Sequence, residues 1–142
     1  MSADAERVAF SQCSGSSLSA SYPATAASVP MARLAVVEFA AAAGASDEQL
    51  DAIGLAVCEA LANVVVHAYR DRAGPIHVSA AVASGEFWVL IADDGCGLRP
   101  RGDSPGLGQG LRLIAYAADD LTIVKRAGGG TELRMRFDLA NY

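Results

Sequence analysis

Hydrophobic and polar positions repeat along this chain with two different periods. From Ser16 to Tyr22, Leu18, Ala20 and Tyr22 alternate with Ser17, Ser19 and Ser21, the pattern of a half-buried strand, and Pro23 closes it. Val29 and Pro30 lead into a helical stretch, Met31 to Ala43, in which Met31, Leu34, Val37 and Ala41 share a face and Gly44 supplies a stop. Ser46 stands three residues before Gln49 as in a capping box, opening a helix expected to run to about Tyr69. Then the period shortens. Ile76 to Val82 and Glu86 to Ala92 read as strands of a hairpin turning at Ala83, Ser84 and Gly85. A glycine-rich stretch from Asp93 to Gly110 precedes a short helix, Leu111 to Ala118, followed by a strand, Leu121 to Lys125. Gly128, Gly129 and Gly130 make a turn, and Leu133, Met135 and Phe137 alternate with Glu132, Arg134 and Arg136 in the last strand.

About five strands and three helices, with the C-terminal strands in hairpins, predict an α+β fold. The expected form is a two-layer α/β sandwich, a mixed, mostly antiparallel sheet covered by helices on one face. Residues 1–15 have no period and are expected to be a flexible N-terminal tail, leaving 16–142 as one domain. A length of 142 residues suits a single core without metal or disulfide staples.

Composition narrows the classes. Hydrophobic residues make up 52% and charged residues 19%, but the apolar runs are broken by Glu, Asp and Gly before reaching the ~18 residues of a membrane span. MSADAERVAF has no positive cluster followed by an apolar core, so a cytoplasmic protein without membrane contact is expected. Cys13, Cys58 and Cys96 are widely spaced and read as reduced thiols; a zinc site made from them with His67 and His77 has no supporting ligand spacing. A net charge of -5 argues against a nucleic-acid surface and favours protein or small-molecule partners.

The segment CEALANVVVHAYRD carries Glu59, Asn63 and His67 at intervals of four. Leu50, Ile53, Val57, Leu61, Val64 and Ala68 form the stripe that should meet the sheet. The three polar residues lie on the flank and back among Leu55, Ala56, Ala60 and Val66, so that side should be covered as well. A carboxylate and an amide in such a place need partners. These are either structural, an arginine for Glu59 and backbone for Asn63, or a ligand, with Asn63 offering its amide oxygen to a hard cation and Glu59 acting as a base. The helix alone leaves both open. A second constellation, IADDGCGLRPRGDSPGLGQGLRLI, favours the ligand: Asp93 at a strand end, Gly95 and Gly97 after it, then Gly106, Gly108 and Gly110 ahead of a helix, where backbone N–H groups can approach a phosphate.

In that order, E-x-x-x-N-x-x-x-H-A-Y, D-x-G-x-G, G-x-G-x-G-L and a late G-T resemble the motif boxes of the GHKL, or Bergerat-fold, ATPases. The compact length, the Y-P-A opening before an arginine-bearing first helix and the H-A-Y ending are most similar to the bacterial anti-sigma-factor serine/threonine kinases, over about residues 16–138. The resemblance implies ATP and Mg2+ as cofactors, with Asn63 as the magnesium ligand and Glu59 as the general base. It implies that Asp93 accepts the adenine amino group beside Thr131, and that Gly95 and Gly97 line the purine pocket. Gly106, Gly108 and Gly110 would cradle phosphates, Leu111 would start the helix facing them, and Arg99 and Arg101 would lie in the lid. Such roles suit phosphoryl transfer, which needs positioning and charge neutralisation; no P-loop is present. His67 reads as a structural member of the helix end, Asp94 as solvated or a turn former, and Trp88 as core.

The resulting expectation is an ATP-dependent kinase that sequesters a sigma factor and phosphorylates an anti-anti-sigma protein of the STAS type, a homodimer by resemblance. The alternatives are a non-catalytic nucleotide-binding regulatory module of the same fold acting by partner exchange, and an ATPase or the catalytic piece of a histidine kinase.

Overall fold

The computed structural model describes residues 11–14, 17–69, 73–95 and 105–139, with only the backbone for 11–14 and 105–109. Six strands form one sheet in the order β1-β2-β3-β4-β6-β5: β1 Ser11–Ser14, β2 Ser17–Pro23, β3 Pro75–Ala83, β4 Glu86–Asp93, β5 Asp120–Lys125 and β6 Thr131–Asp138. Every pairing among them is antiparallel, so the parallel pairs allowed for in a mixed sheet do not occur among the described strands. β1 falls where a tail was expected: residues 11–14 pair with 17–20 as an edge strand whose four positions are too few to show a period.

The alternation predicted for the strands sets the sheet's inner face. Leu18, Ala20 and Tyr22, then Ile76, Val78 and Ala80, then Phe87, Val89 and Ile91, and finally Leu133, Met135 and Phe137 are all buried there. Phe87 packs between Phe39 and Phe137 with ring centroids 5.9 and 6.5 Å away. The β3–β4 hairpin turns at Ser84 and Gly85, at φ +52° and +78°, a pair of positive values that matches the strands' twist. Trp88 is half-buried on the opposite, outer face, where its indole N–H donates to Glu86 at 3.2 Å. It is not a core residue, because it stands between Phe87 and Val89 in β4 and so points to the other face of the sheet.

Helices α1 Ser28–Ala42, α2 Asp47–Asn63 and α3 Pro105–Ala117 belong to the second layer, with a π-helical segment, Val64–Ala68, continuing α2. α1 starts earlier than expected because Pro30 is tolerated in a first turn, where its missing N–H is not needed. Its buried face is Ser28, Ala32, Val36, Phe39 and Ala40, not the predicted Met31, Leu34, Val37 and Ala41; Met31 and Leu34 are 50% and 55% exposed. Apolar residues occupy both sides of this alanine-rich helix, so period alone does not select one, and the small Ala32 and Ala40 go where α1 packs closest.

α2 follows its predicted stripe. Ile53, Val57 and Leu61 are fully buried, Val64 and Ala68 nearly so, and Leu50 partly. The capping box forms in both directions: the Gln49 N–H donates to Ser46 Oγ at 3.1 Å, and the Ser46 N–H to Gln49 Oε1 at 2.9 Å. On its back, Ala56 and Ala60 are covered but Leu55 and Val66 are exposed, so the cover expected on that side is partial. Asp47–Ala68 is long and apolar enough to cross a membrane by length and composition alone. Packing against the sheet, α1 and α3 accounts for that composition.

Candidate functional site

Glu59 and Asn63, one helical turn apart, emerge on one side of α2 near its C-terminal end. They face α3 at Gly110. A Cβ built there would lie 3.3 Å from both Asn63 amide atoms and 3.7 Å from Glu59 Oε2, so a glycine keeps this gap open. Asn63 is only 7% exposed, and its Nδ2 has no hydrogen-bond partner among the described residues. An unsatisfied buried donor costs about 1–3 kcal/mol, which marks the spot as made for something else to fill. Nor does Glu59 have an arginine partner among the described residues, so the structural network considered for this pair is not formed there. His67 lies in the π-helical segment, Val64–Ala68, where the wider turn breaks the four-residue spacing that aligns Glu59 with Asn63.

The π-helical segment leads from Asn63 to the second half of the site. At its end the Ala68 carbonyl presses on Gly95, where an added Cβ would fall 2.0 Å from that oxygen. Asp93, at the end of β4, is 2% exposed; its Oδ1 accepts the Gly95 N–H at 2.9 Å, and its carboxylate also accepts the backbone N–H of Thr131. Burial raises the Asp93 pKa, as does the nearby Asp94 charge more weakly, while the Gly95 and Thr131 N–H bonds and Arg126 pull it back down. Gly130, at φ +97°, comes so close that a Cβ would sit 2.0 Å from the Asp93 carbonyl oxygen. The glycine of the late G-T is therefore there for close approach, while the backbone N–H that Asp93 takes from Thr131 is one that any residue but proline could supply.

Other groups hold this turn. The Tyr69 hydroxyl donates to the Pro75 carbonyl at 2.7 Å and accepts the Asp94 N–H at 2.7 Å. Arg126 Nη1 donates to the Asp93 carbonyl at 2.9 Å and to the Asp94 carboxylate. On its other side Asp94 meets His77 Nε2 at 2.8 Å, a contact that, with Arg126, lowers the Asp94 pKa. Asp94 is thus an ion-paired anchor, not merely a solvated turn former. Arg126 and His77 are missed by motif reading, since neither stands in a motif; Arg126 follows Lys125 and is separated from the triple glycine by Ala127, so nothing local singles it out.

α3 begins at Pro105, not at Leu111, so Gly106, Gly108 and Gly110 lie inside the helix and not in a turn ahead of it; Leu111 is an interior, half-buried residue. Proline suits the first helical position, and packing against α2 carries a glycine-rich sequence that propensity alone disfavours. Gly97, Arg99 and Arg101 lie outside the described residues, as does Cys96. Cys58 is a free thiol.

The chain is similar to known proteins in sequence and in fold. The anti-sigma F factor of Clostridium acetobutylicum is 25% identical over 116 residues, covering 74% of this chain and 81% of that protein. The anti-sigma F factor of Caldanaerobacter subterraneus subsp. tengcongensis is 28% identical over 115 residues, 73% of this chain and 80% of the relative. The crystal structure of the RsbU and RsbW domains of Rv1364c from Mycobacterium tuberculosis shares the fold, with a TM-score of 0.71 at 24% identity over 88% of this chain; the match spans 32% of that longer chain. The model of the histidine kinase-like ATPase domain matches residues 22–137, the span from the end of β2 to the end of β6 that contains both halves of the site, and the chain belongs to that ATP-binding family.

Proposed function

We propose that this protein is an ATP-binding anti-sigma factor with serine/threonine kinase activity, which holds a sigma factor inactive and phosphorylates a STAS-type anti-anti-sigma protein. The observation that carries the reading is the meeting of the Glu59 carboxylate and the unpartnered, buried Asn63 amide at Gly110. The similarity to proteins named anti-sigma F factors supports the partner class.

In this reading Asp93 accepts an N–H of the adenine amino group, with Thr131 beside it, and Gly95 and Gly97 are assigned to the purine pocket by resemblance. Gly106 falls among the first three helical positions of α3, whose N–H groups lack intrahelical partners and face phosphates well, and Gly108 follows at the fourth, where intrahelical bonding begins. Gly110 and Leu111 lie too deep for that; Gly110 contributes the gap beside Asn63. The donor set at Asn63 fits Mg2+: an amide oxygen suits a hard cation, and the unsatisfied Nδ2 can donate to a phosphate oxygen. Magnesium, when bound, neutralises triphosphate charge. Glu59 takes the proton of the target hydroxyl as its oxygen bonds to the γ-phosphorus, while the bond to the β,γ-bridging oxygen breaks and ADP leaves. Arg101 is assigned to the nucleotide by resemblance. The protein acts in the cytoplasm as a homodimer, and exposed Met31 and Leu34 on α1 support a protein-binding face.

Incubation with γ-labelled ATP, Mg2+ and candidate STAS proteins tests the reading. Glu59→Gln is expected to slow label transfer by about 10²–10⁴-fold while nucleotide still binds. Transfer that ignores the substitution removes Glu59 as the base, and none from a wild type that binds ATP favours the non-catalytic module.

A further inference from the structure

Arg126 leaves the β5–β6 turn and reaches the end of β4 on a different strand pair. From one nitrogen, Nη1, it donates to the backbone carbonyl of Asp93 at 2.9 Å and to the carboxylate of Asp94. Its own backbone closes the turn it stands on: the Arg126 N–H donates to the Gly130 carbonyl and the Gly129 N–H to the Arg126 carbonyl, each at 3.1 Å. The carbonyl that Arg126 grips is the atom against which Gly130 packs. Asp94 is braced from the far side by His77 Nε2 at 2.8 Å, and His77 Nδ1 lies 3.3 Å from Ser21 Oγ. The direction of the Asp93 side chain is set within this turn, because its Oδ1 takes the Gly95 N–H. None of these contacts reaches Glu59, Asn63 or Gly110, which α2 and α3 hold separately.

We propose that Arg126 is a positioning residue for base recognition: by fixing the Asp93 carbonyl and Asp94, it fixes the direction in which the Asp93 carboxylate meets a purine. The inference rests on the reading of Asp93 as the acceptor of the adenine amino group. It predicts a separation that a general loss of structure does not give. Loosening this turn weakens discrimination between adenine and guanine nucleotides and leaves the affinity for a bare polyphosphate intact.

Calorimetric titration with Mg·ATP, Mg·GTP and magnesium tripolyphosphate is carried out on the wild type, Arg126→Gln, Arg126→Lys and Asp93→Asn, with the Gly95 amide followed by hydrogen exchange. In Arg126→Gln the ATP-to-GTP affinity ratio is expected to fall roughly tenfold, with tripolyphosphate binding within about twofold of wild type and faster exchange at Gly95. Arg126→Lys is expected to keep most of the ratio, since both contacts come from one nitrogen and an ammonium can make both. A ratio unchanged in Arg126→Gln, tripolyphosphate affinity falling in step with ATP, or a Lys variant no better than the Gln variant overturns the proposal. A wild type with no ATP preference, or Asp93→Asn that retains it, removes the Asp93 reading itself and the proposal with it. Preference lost in Asp93→Asn but intact in Arg126→Gln overturns the role of Arg126 alone.

Discussion

Asp93 carries a stability cost that belongs to its position. Burial raises its pKa, so between the ordinary carboxylate range near about pH 4 and its higher folded value the native state binds the proton more tightly than the unfolded chain. Stability from this group is therefore highest in acid, falls as pH rises through that window, and stays at its lowest above it. Asp94 acts in the opposite sense: its pKa is lowered by His77 first, so its contribution is present above about pH 4 and lost as pH falls. Comparing Asp93→Asn with wild type removes most of the Asp94 contribution, since the coupling between the two carboxylates is weaker than burial. The variant is expected to gain stability relative to wild type between pH 4 and pH 8 in chemical denaturation, while losing adenine-nucleotide binding; a gap that narrows with rising pH contradicts the assignment. Gly130→Ala tests the same turn by sterics. A Cβ 2.0 Å from the Asp93 oxygen at φ +97° is expected to cost more than about 2 kcal/mol in urea unfolding.

At this scale the motif residues were legible because their chemistry is unusual for their surroundings. A Glu and an Asn on an alanine-rich helix, and an Asp before a glycine, each demand a partner. Arg126 and His77 were not legible, since their partners stand across the sheet and nothing local marks them.

Elements with strong local chemistry were also readable. The Ser46–Gln49 capping box and the Ser84-Gly85 hairpin are set by neighbours a few residues apart, and the structure forms both. The π-helical step after Asn63 and the buried face of α1 depend on packing against elements distant in sequence, so period could not give them. α3 is the clearest conflict between propensity and context. Gly110 in mid-helix costs about 1 kcal/mol against alanine. An added Cβ would meet the Asn63 amide at 3.3 Å, a contact that amide can yield to because its Nδ2 is unbonded. Gly110→Ala is expected to raise the melting temperature of the nucleotide-free protein and to weaken Mg·ATP binding more than about tenfold, the trade between stability and function expected of a gap kept for a ligand. A stabilised variant with unchanged nucleotide affinity would show that the gap serves packing only.

Across the whole molecule the site is assembled from two parts, each held by its own elements. Glu59, Asn63 and Gly110 are held by the pairing of α2 with α3, whereas Asp93, Gly130 and Thr131 are held where β4 meets the β5–β6 hairpin, and the segment from Val64 to Ala68 joins them. A nucleotide engages both parts at once, its base at the sheet end and its phosphates at the helix pair, so each half raises the effective concentration of the other. Stabilisation should therefore depend on an intact ligand. Mg·ATP at about 100 times its dissociation constant adds roughly 2.7 kcal/mol to unfolding, a melting shift of several degrees for a domain of this size. Adenosine and magnesium tripolyphosphate added together but unlinked, at the same concentrations, are expected to give less than half that shift. Asn63→Ala removes the phosphate-side amide and its unsatisfied donor, so it should melt at or above wild type without ligand yet respond to Mg·ATP no more than to adenosine. Thermal melts of both proteins with each ligand decide the matter: an equal response to linked and unlinked ligands would mean that the two halves do not act as one site.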